Sequence, residues 1–213
     1  LKQVISTVNV IFHFGAQTGF KKTMRDYIDS NILGTQNIID IIIEEAYSIE
    51  KIIFASSSAV YGEGAYKCTQ HGSLSPINRS SSDLDNGIWN IKCEFCNNLL
   101  NPIATQENKE QYGNHIYAIT KQTSEKILNT ISFISDIKII NLRFSILYGP
   151  YQEKGIVPLF INKIISDQII TLNEDGNQIR DFILLTDAAK MSILAMENLF
   201  ENQTYNISSN RPI

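Results

Sequence analysis

Three short runs, "VNVIFHF" (8–14), "KIIFASS" (51–57) and "KIINLRFSIL" (138–147), are dense in β-branched and aromatic residues and nearly free of charge. Strands of that kind are covered on both faces, which is the condition of a parallel sheet. Parallel neighbours need a crossover of a dozen or more residues, usually a helix. The intervals supply it. From Met24 to Tyr47 the apolar residues Ile28, Ile32, Ile39, Ile42 and Ile43 fall at helical spacing, with Glu44 and Glu45 on the remaining face, and "YAITKQTSEKILNTI" (117–131) is again helical. The alternation predicts an α/β fold with crossover helices packed on a parallel sheet. Beyond Pro150, "IVPLFINKII", "IITLN", "DFILL" and "TDAAKMSILAMENLF" predict helix, strand, strand and helix, shorter elements that cap the sheet.

Composition narrows the partner. A chain of 213 residues, 43% hydrophobic and 19% charged, holds enough apolar material for one large domain or somewhat more. A net charge of -4 and the lack of any Lys/Arg run argue against nucleic acid or an anionic membrane as the main partner, and favour a small molecule. No apolar run approaches the roughly 20 residues of a spanning helix, and "LKQVISTVNV" lacks the pattern of a secretory signal, so a cytoplasmic setting is expected.

The chemistry starts where the second strand ends. Tyr117 and Lys121 are four apart at a helix start, so their side chains share a face about one turn apart. A phenol near pKa ~10 is a poor base at neutral pH; an adjacent ammonium favours the phenolate and a neighbouring hydroxyl can share the proton. Ser56, Ser57 and Ser58 follow "KIIFA", at the carboxyl end of a strand, where open parallel sheets bind ligands. The order strand, serine cluster, Tyr/Lys helix, strand predicts that serines face the Tyr117–Lys121 pair across a crevice. His13, at the end of the first strand, reads as packed rather than catalytic.

Residues 62–116 are polar and rich in Gly, Ser and Asn, and interrupt the α/β pattern. All three cysteines of the chain fall there, an unlikely basis for a secreted disulfide framework. Cys68 and His71 form a C-x-x-H pair, Cys93 and Cys96 a C-x-x-C pair, and residues 72–92 separate them. Two-residue spacing turns both ligands of a pair toward one ion, as in zinc ribbons. The expectation is a structural zinc that supplies the stability which Tyr66, Leu74, Ile77, Trp89, Ile91 and Phe95 alone could hardly give.

The blocks "VIFHFGAQTG", "NILGTQNIIDI", "IIFASSSAVYGE", "YAITK", "LRFSILYGP" and "DGNQIRDFILLTDAA" resemble, in order and over nearly the whole chain, the extended short-chain dehydrogenase/reductases, the NAD-dependent sugar-nucleotide epimerases and dehydratases. The resemblance implies a Rossmann-like, doubly wound parallel sheet. It implies a catalytic Ser57 and Tyr117, with Lys121 holding the nicotinamide ribose. Gly15, Ala16, Asn31 and Ser56 would border the cofactor, and Asn31 would have a structural or proton-relay role. Gln17, Thr18 and Ser58 would touch substrate, and Arg180 would grip its diphosphate with a planar fork of donors. The insert resembles that of the dTDP-L-rhamnose 4-epimerase branch, which favours a dTDP-linked 6-deoxyhexose as substrate. The family pairs the Tyr117-type helix and the helix before it into a homodimer interface.

Departures from the family pattern stand beside the resemblance. No G-x-G-x-x-G or G-x-x-G-x-x-G occurs, although the family opens with such a loop, and the chain stops within the block "YNISSNRPI". On this basis the sequence is expected to be a piece truncated at both ends: a partial NAD-binding domain over 1–149, interrupted by the insert 62–116, then part of a small substrate-binding domain with late Rossmann elements over 150–213. Ile146 stands where the family often has a substrate-contacting Asn. Dehydratases and decarboxylases carry acids between the catalytic Ser/Thr and the V-Y-G turn; here those positions are Ser58 and Ala59, which favours C4 epimerisation in a full-length context. The alternatives are a non-catalytic sugar-nucleotide or partner-binding module, and a dehydratase or reductase.

Overall fold

The computed structural model describes residues 1–19, 22–76 and 79–213; Ile77, counted above among the insert's apolar residues, lies outside them. The chain opens with a one-turn helix α1 (Lys2–Ile5) and the strand β1 (Val10–His13). The predicted first crossover is one long helix: α2 (Met24–Tyr27) runs through a π-helical stretch, Ile28–Leu33, into α3 (Gly34–Glu44). Its start is a capping box: Thr23 Oγ1 accepts from the Asp26 amide at 3.2 Å, and the Asp26 carboxylate accepts from the Thr23 amide at 2.9 Å.

Strand β2 (Lys51–Ser57) passes into a 3₁₀ turn, Ser58–Tyr61. The insert follows, with β3 (Ala65–Cys68), β4 (Gly72–Leu74), a short helix α4 (Ser81–Asp85) and β5 (Asn101–Ile103). Then come α5 (Ile116–Ile131) and β6 (Lys138–Phe144), then β7 (Ile146–Tyr148), α6 (Ile156–Ile165), β8 (Phe182–Leu184), α7 (Leu185–Asn198) and β9 (Gln203–Ile207).

Four parallel strands form the main sheet in the order β1-β2-β6-β9. Its middle is buried on both sides, as the β-branched runs predicted. Ile52, Phe54 and Ile139 pack with Ile39 and Ile42 of α3 and Leu128 and Ile131 of α5. Ile53, Ile140 and Leu142, of opposite parity, pack with Ala188 and Ala195 of α7. Among the described residues no helix is long and apolar enough to cross a membrane.

Two expectations are corrected. The run 138–147 is two strands: the Ser145 amide makes the last bond to β9, on Ile207 at 2.9 Å, while the Ser145 hydroxyl and the Ile146 amide donate to Asp181 at 3.2 and 3.1 Å, so Ile146 leaves β6 and β7 pairs with β8 in a separate parallel ribbon. "IITLN" (169–173) is not a strand. Its backbone is served by side chains instead, with Lys163 Nζ on the Ile169 carbonyl at 2.9 Å and Gln178 Nε2 on the Asn173 carbonyl at 3.0 Å. Within the insert, β3 pairs antiparallel with both β4 and β5.

Candidate active site

The three serines beyond Ala55 take three directions. Ser56, on the α5 face of the sheet, is buried and donates to the Glu125 carboxylate. Ser57, the last residue of β2, stands close enough to Tyr117 for its hydroxyl to act on that phenol, and its Oγ accepts from the Ala59 amide at 3.2 Å, capping the 3₁₀ turn. Ser58 is exposed. Helix α5 begins where Tyr117 needs it, because the His115 ring accepts from the Ala118 amide at 3.4 Å.

One turn along α5, Lys121 is only 2% exposed. Its Nζ donates to the Ala55 carbonyl at 2.6 Å and lies 4.7 Å from the centre of the Phe54 ring. Burial pulls this ammonium down to about 8, while the Glu125 charge opposes the shift. The Tyr117 phenol is pushed above its usual value by burial; the nearby Ser57 hydroxyl opposes this and Tyr27 adds to it. The sequence predicted that the Lys121 ammonium would favour the phenolate. In this geometry the ammonium is instead committed to the Ala55 carbonyl, and burial dominates the phenol.

Asn31 lies in the π-helical stretch and is buried. Its Oδ1 accepts from the Gln17 amide at 2.6 Å, and its Nδ2 donates to Thr120 Oγ1 at 2.9 Å and to the Gln17 carbonyl at 3.2 Å. The loop after β1 is thereby tied to α5 one residue before Lys121. A π-helical insertion rotates the side chains on either side of it, and such features gather at functional sites. In the same loop Ala16 and Gln17 are half-buried, Thr18 is exposed, and Gly15 faces open space. Arg180 is exposed; its guanidinium donates to the Ile179 carbonyl at 2.8 Å, and its charge acts on Tyr66 of the insert.

Beneath these residues lies a buried network that sequence reasoning missed. Arg143 of β6 holds the Glu125 carboxylate with two bonds of 3.0 and 2.8 Å, and donates to the Tyr61 hydroxyl at 2.7 Å and the Glu107 carbonyl at 2.9 Å. Tyr61 in turn donates to Asn206 of β9 at 2.8 Å. A signal was present: Glu125 continues the four-residue stripe of Tyr117 and Lys121. His13 is buried against Phe54, with Nε2 2.8 Å from Thr35 Oγ1, in keeping with a packed role.

In the insert, the side chains of Cys68, His71, Cys93 and Cys96 converge, with their ligand atoms all within 4.8 Å of one another. Cys68 Sγ lies 3.5 Å from His71 Nδ1 and 3.6 Å from Cys96 Sγ, and Cys93 Sγ lies 3.4 Å from His71 Nδ1. The Gln70 amide donates to Cys68 Sγ at 3.4 Å, the first of several bonds that hold this thiol down to about 6.

Comparison with known proteins gives this geometry a relationship. The model of the NAD dependent epimerase/dehydratase family matches residues 1–82 and 98–208. The dTDP-L-rhamnose 4-epimerase of Burkholderia thailandensis is 30% identical over 188 residues, 84% of this chain and 50% of that protein. The chain spans about half the length of the curated relatives it matches. Among solved structures, the UDP-glucuronic acid 4-epimerase of Bacillus cereus in complex with NAD superimposes with a TM-score of 0.76 at 21% identity, over 100% of this chain and 58% of that one. The UDP-N-acetylglucosamine 4-epimerase of Methanobrevibacter ruminantium does so with a TM-score of 0.73, also at 21% identity, over 100% and 58%. These two likenesses establish the fold. With the family model matched from the first strand to the last, on both sides of residues 83–97, the chain belongs to the NAD dependent epimerase/dehydratase family.

Proposed function

We propose that the protein of which this chain forms at least a part epimerises a nucleoside-diphosphate sugar at C4, with NAD as tightly held cofactor and a dTDP-linked 6-deoxyhexose as the favoured substrate. The observation that carries the reading is the juxtaposition of Ser57, at the carboxyl end of β2, with Tyr117 at the start of α5 and buried Lys121 one turn beyond. The residues present suit the nicotinamide end of the cofactor: a buried ammonium, a phenol, and the latched loop Gly15–Gln17 beside open space. No Gly-rich phosphate loop is among them. When bound, NAD would take a hydride from the sugar carbon and return it.

The chain's own residues would manage the proton. Tyr117, as the phenolate that the Lys121 ammonium and the positive charge of bound oxidised NAD would favour, takes the proton of the C4 hydroxyl as the carbon is oxidised and gives it back as the 4-keto sugar is reduced on its other face. Ser57, beside that phenol, orients the sugar oxygen and shares the proton. Lys121 supplies positive charge at the ribose hydroxyls, and Asn31 holds the loop that borders them. Elimination would need an acid and a base near C5 and C6; Ser58 and Ala59, at the positions that carry acids in dehydratases, offer neither. Arg180 is proposed for the diphosphate.

The test is turnover of the whole protein on a panel of dTDP-, UDP- and GDP-sugars, with products read by NMR. Tyr117→Phe should lower kcat by roughly 10²-fold or more with the fold intact. Ser57→Ala should cost more rate than Ser58→Ala. Retention of a large share of activity by Tyr117→Phe, or a reversed serine ranking, would overturn the assignment.

A further inference from the structure

We propose that Cys68, Cys93 and Cys96 as thiolates, with His71 through Nδ1, bind one zinc ion that closes the insert. The site is structural. Four protein ligands fill a tetrahedron and leave no position for substrate or water.

The geometry carries the argument. With Zn–S near 2.3 Å and Zn–N near 2.0 Å, the edges of a tetrahedral site are about 3.8 Å between sulfurs and about 3.5 Å between sulfur and nitrogen. The separations of 3.6 Å between Cys68 and Cys96, and of 3.5 and 3.4 Å from His71 Nδ1 to Cys68 and Cys93, already match. A disulfide would need sulfurs near 2.05 Å, and all three thiols are free.

The backbone is built the same way twice. Cys68 and His71 occupy the tip of the β3–β4 hairpin, where Cys68 pairs with Gly72. Cys93 and Cys96 occupy a second tip, closed by the Lys92–Leu99 bridge and by the Cys93 amide on the Asn98 carbonyl at 2.8 Å. In each tip the residue just after the second ligand has positive φ, Gly72 at 74° and Asn97 at 62°. Gly and Asn are the residues that accept this turn most readily. Two hairpin tips thus present four ligand atoms to one point.

Packing shows why an ion is needed there. Among the described residues the cluster packed around the cysteines is small, Ile91 and Leu100 beside Cys68 and Cys93 themselves, with Tyr66, Leu74 and Cys96 half-buried against them. Metal binding would supply the folding free energy that so few apolar side chains do not. The second pair lies within residues 83–97, outside the stretch that the family model matches. The proposal therefore stands independently of which sugar the enzyme takes.

The test uses the 213-residue chain purified under reducing conditions. Metal analysis should find about one zinc per chain. Titration of the thiols with a mercurial should release it and shift the emission of Trp89, the single tryptophan, which lies between the two pairs, while the circular dichroism of the parallel sheet persists. Replacement by cobalt should give the visible absorption of a tetrahedral thiolate site. Cys93→Ser should lose the metal; if that variant does not fold, the wild-type release and cobalt measurements decide. Iron in place of zinc, a metal-free chain with three titratable thiols and unchanged Trp89 emission on chelation, or a Cys68–Cys96 disulfide would each overturn the proposal.

Discussion

His13 and Lys121 show what a single buried cation costs. Burial, with the Lys121 charge adding, brings the His13 imidazole down to about 4 from 6.5. The unfolded chain therefore takes up a proton first as pH falls. The stability that neutral His13 contributes is present above about 6.5 and is lost between there and about 4, at roughly 1.4 kcal/mol per unit of separation. Lys121, at about 8 instead of 10.5, slopes the same way over a different window: its charged form is penalised below about 8, and the penalty lifts as pH rises toward 10.5. Urea unfolding of the chain from pH 7 to 4 should show a steady loss on the order of 3 kcal/mol from His13 alone. His13→Gln should flatten that part of the profile, and an unchanged slope would place the titration on other groups.

Among the elements, the turn after β2 joins the two halves of the candidate site. The Val60 carbonyl accepts from the Gly113 amide at 3.0 Å and from Gln122 Nε2 of α5 at 2.7 Å, so the strand that ends in Ser57 is clamped to the helix that carries Tyr117. Gly62 permits the approach: its φ is 68°, and a Cβ there would sit 2.6 Å from the Tyr112 carbonyl oxygen. Gly62→Ala should lower stability by about 1–3 kcal/mol, read as the midpoint of thermal unfolding; an unchanged midpoint would mean that the turn relaxes freely. Legibility follows the same physics. β2 and the Tyr117 helix were legible because both-face burial and period-3.6 spacing are written in the side chains. The break at Ser145 and the loss of "IITLN" as a strand were not, because they depend on partners distant in sequence, Asp181, Ile207, Lys163 and Gln178. The π-helical stretch keeps Ile28 and Ile32 at ordinary helical spacing, so nothing local marked it, although Asn31 within it was named from its block. Ser57 and Tyr117 were placed together by sequence order; Glu125 and Arg143 were passed over because a charge in a helix or near a strand end reads as solvated until its burial is known.

Across the whole molecule, that Glu125–Arg143 pair reaches furthest. It joins α5 to β6, and through Tyr61, Asn206 and Glu107 it draws in the turn after β2, the last strand and the segment that returns from the insert. Ser56 and Gln111 complete the carboxylate, the latter at 2.7 Å, so both charges are buried and each is held by several hydrogen bonds. Taking two ions out of water costs several kcal/mol each, and their mutual attraction roughly repays it only when both are present. Arg143→Met should therefore destabilise the chain by about 3–5 kcal/mol, because it strands the Glu125 carboxylate. The double variant Glu125→Leu with Arg143→Met removes both charges and should recover most of that loss, so that the two single effects fail to add. The comparison is read from urea unfolding at pH 7 of the parent, both single variants and the double. If the double variant is as unstable as the sum of the singles, the network's worth lies in its separate links to Tyr61, Glu107 and Ser56 rather than in the ion pair.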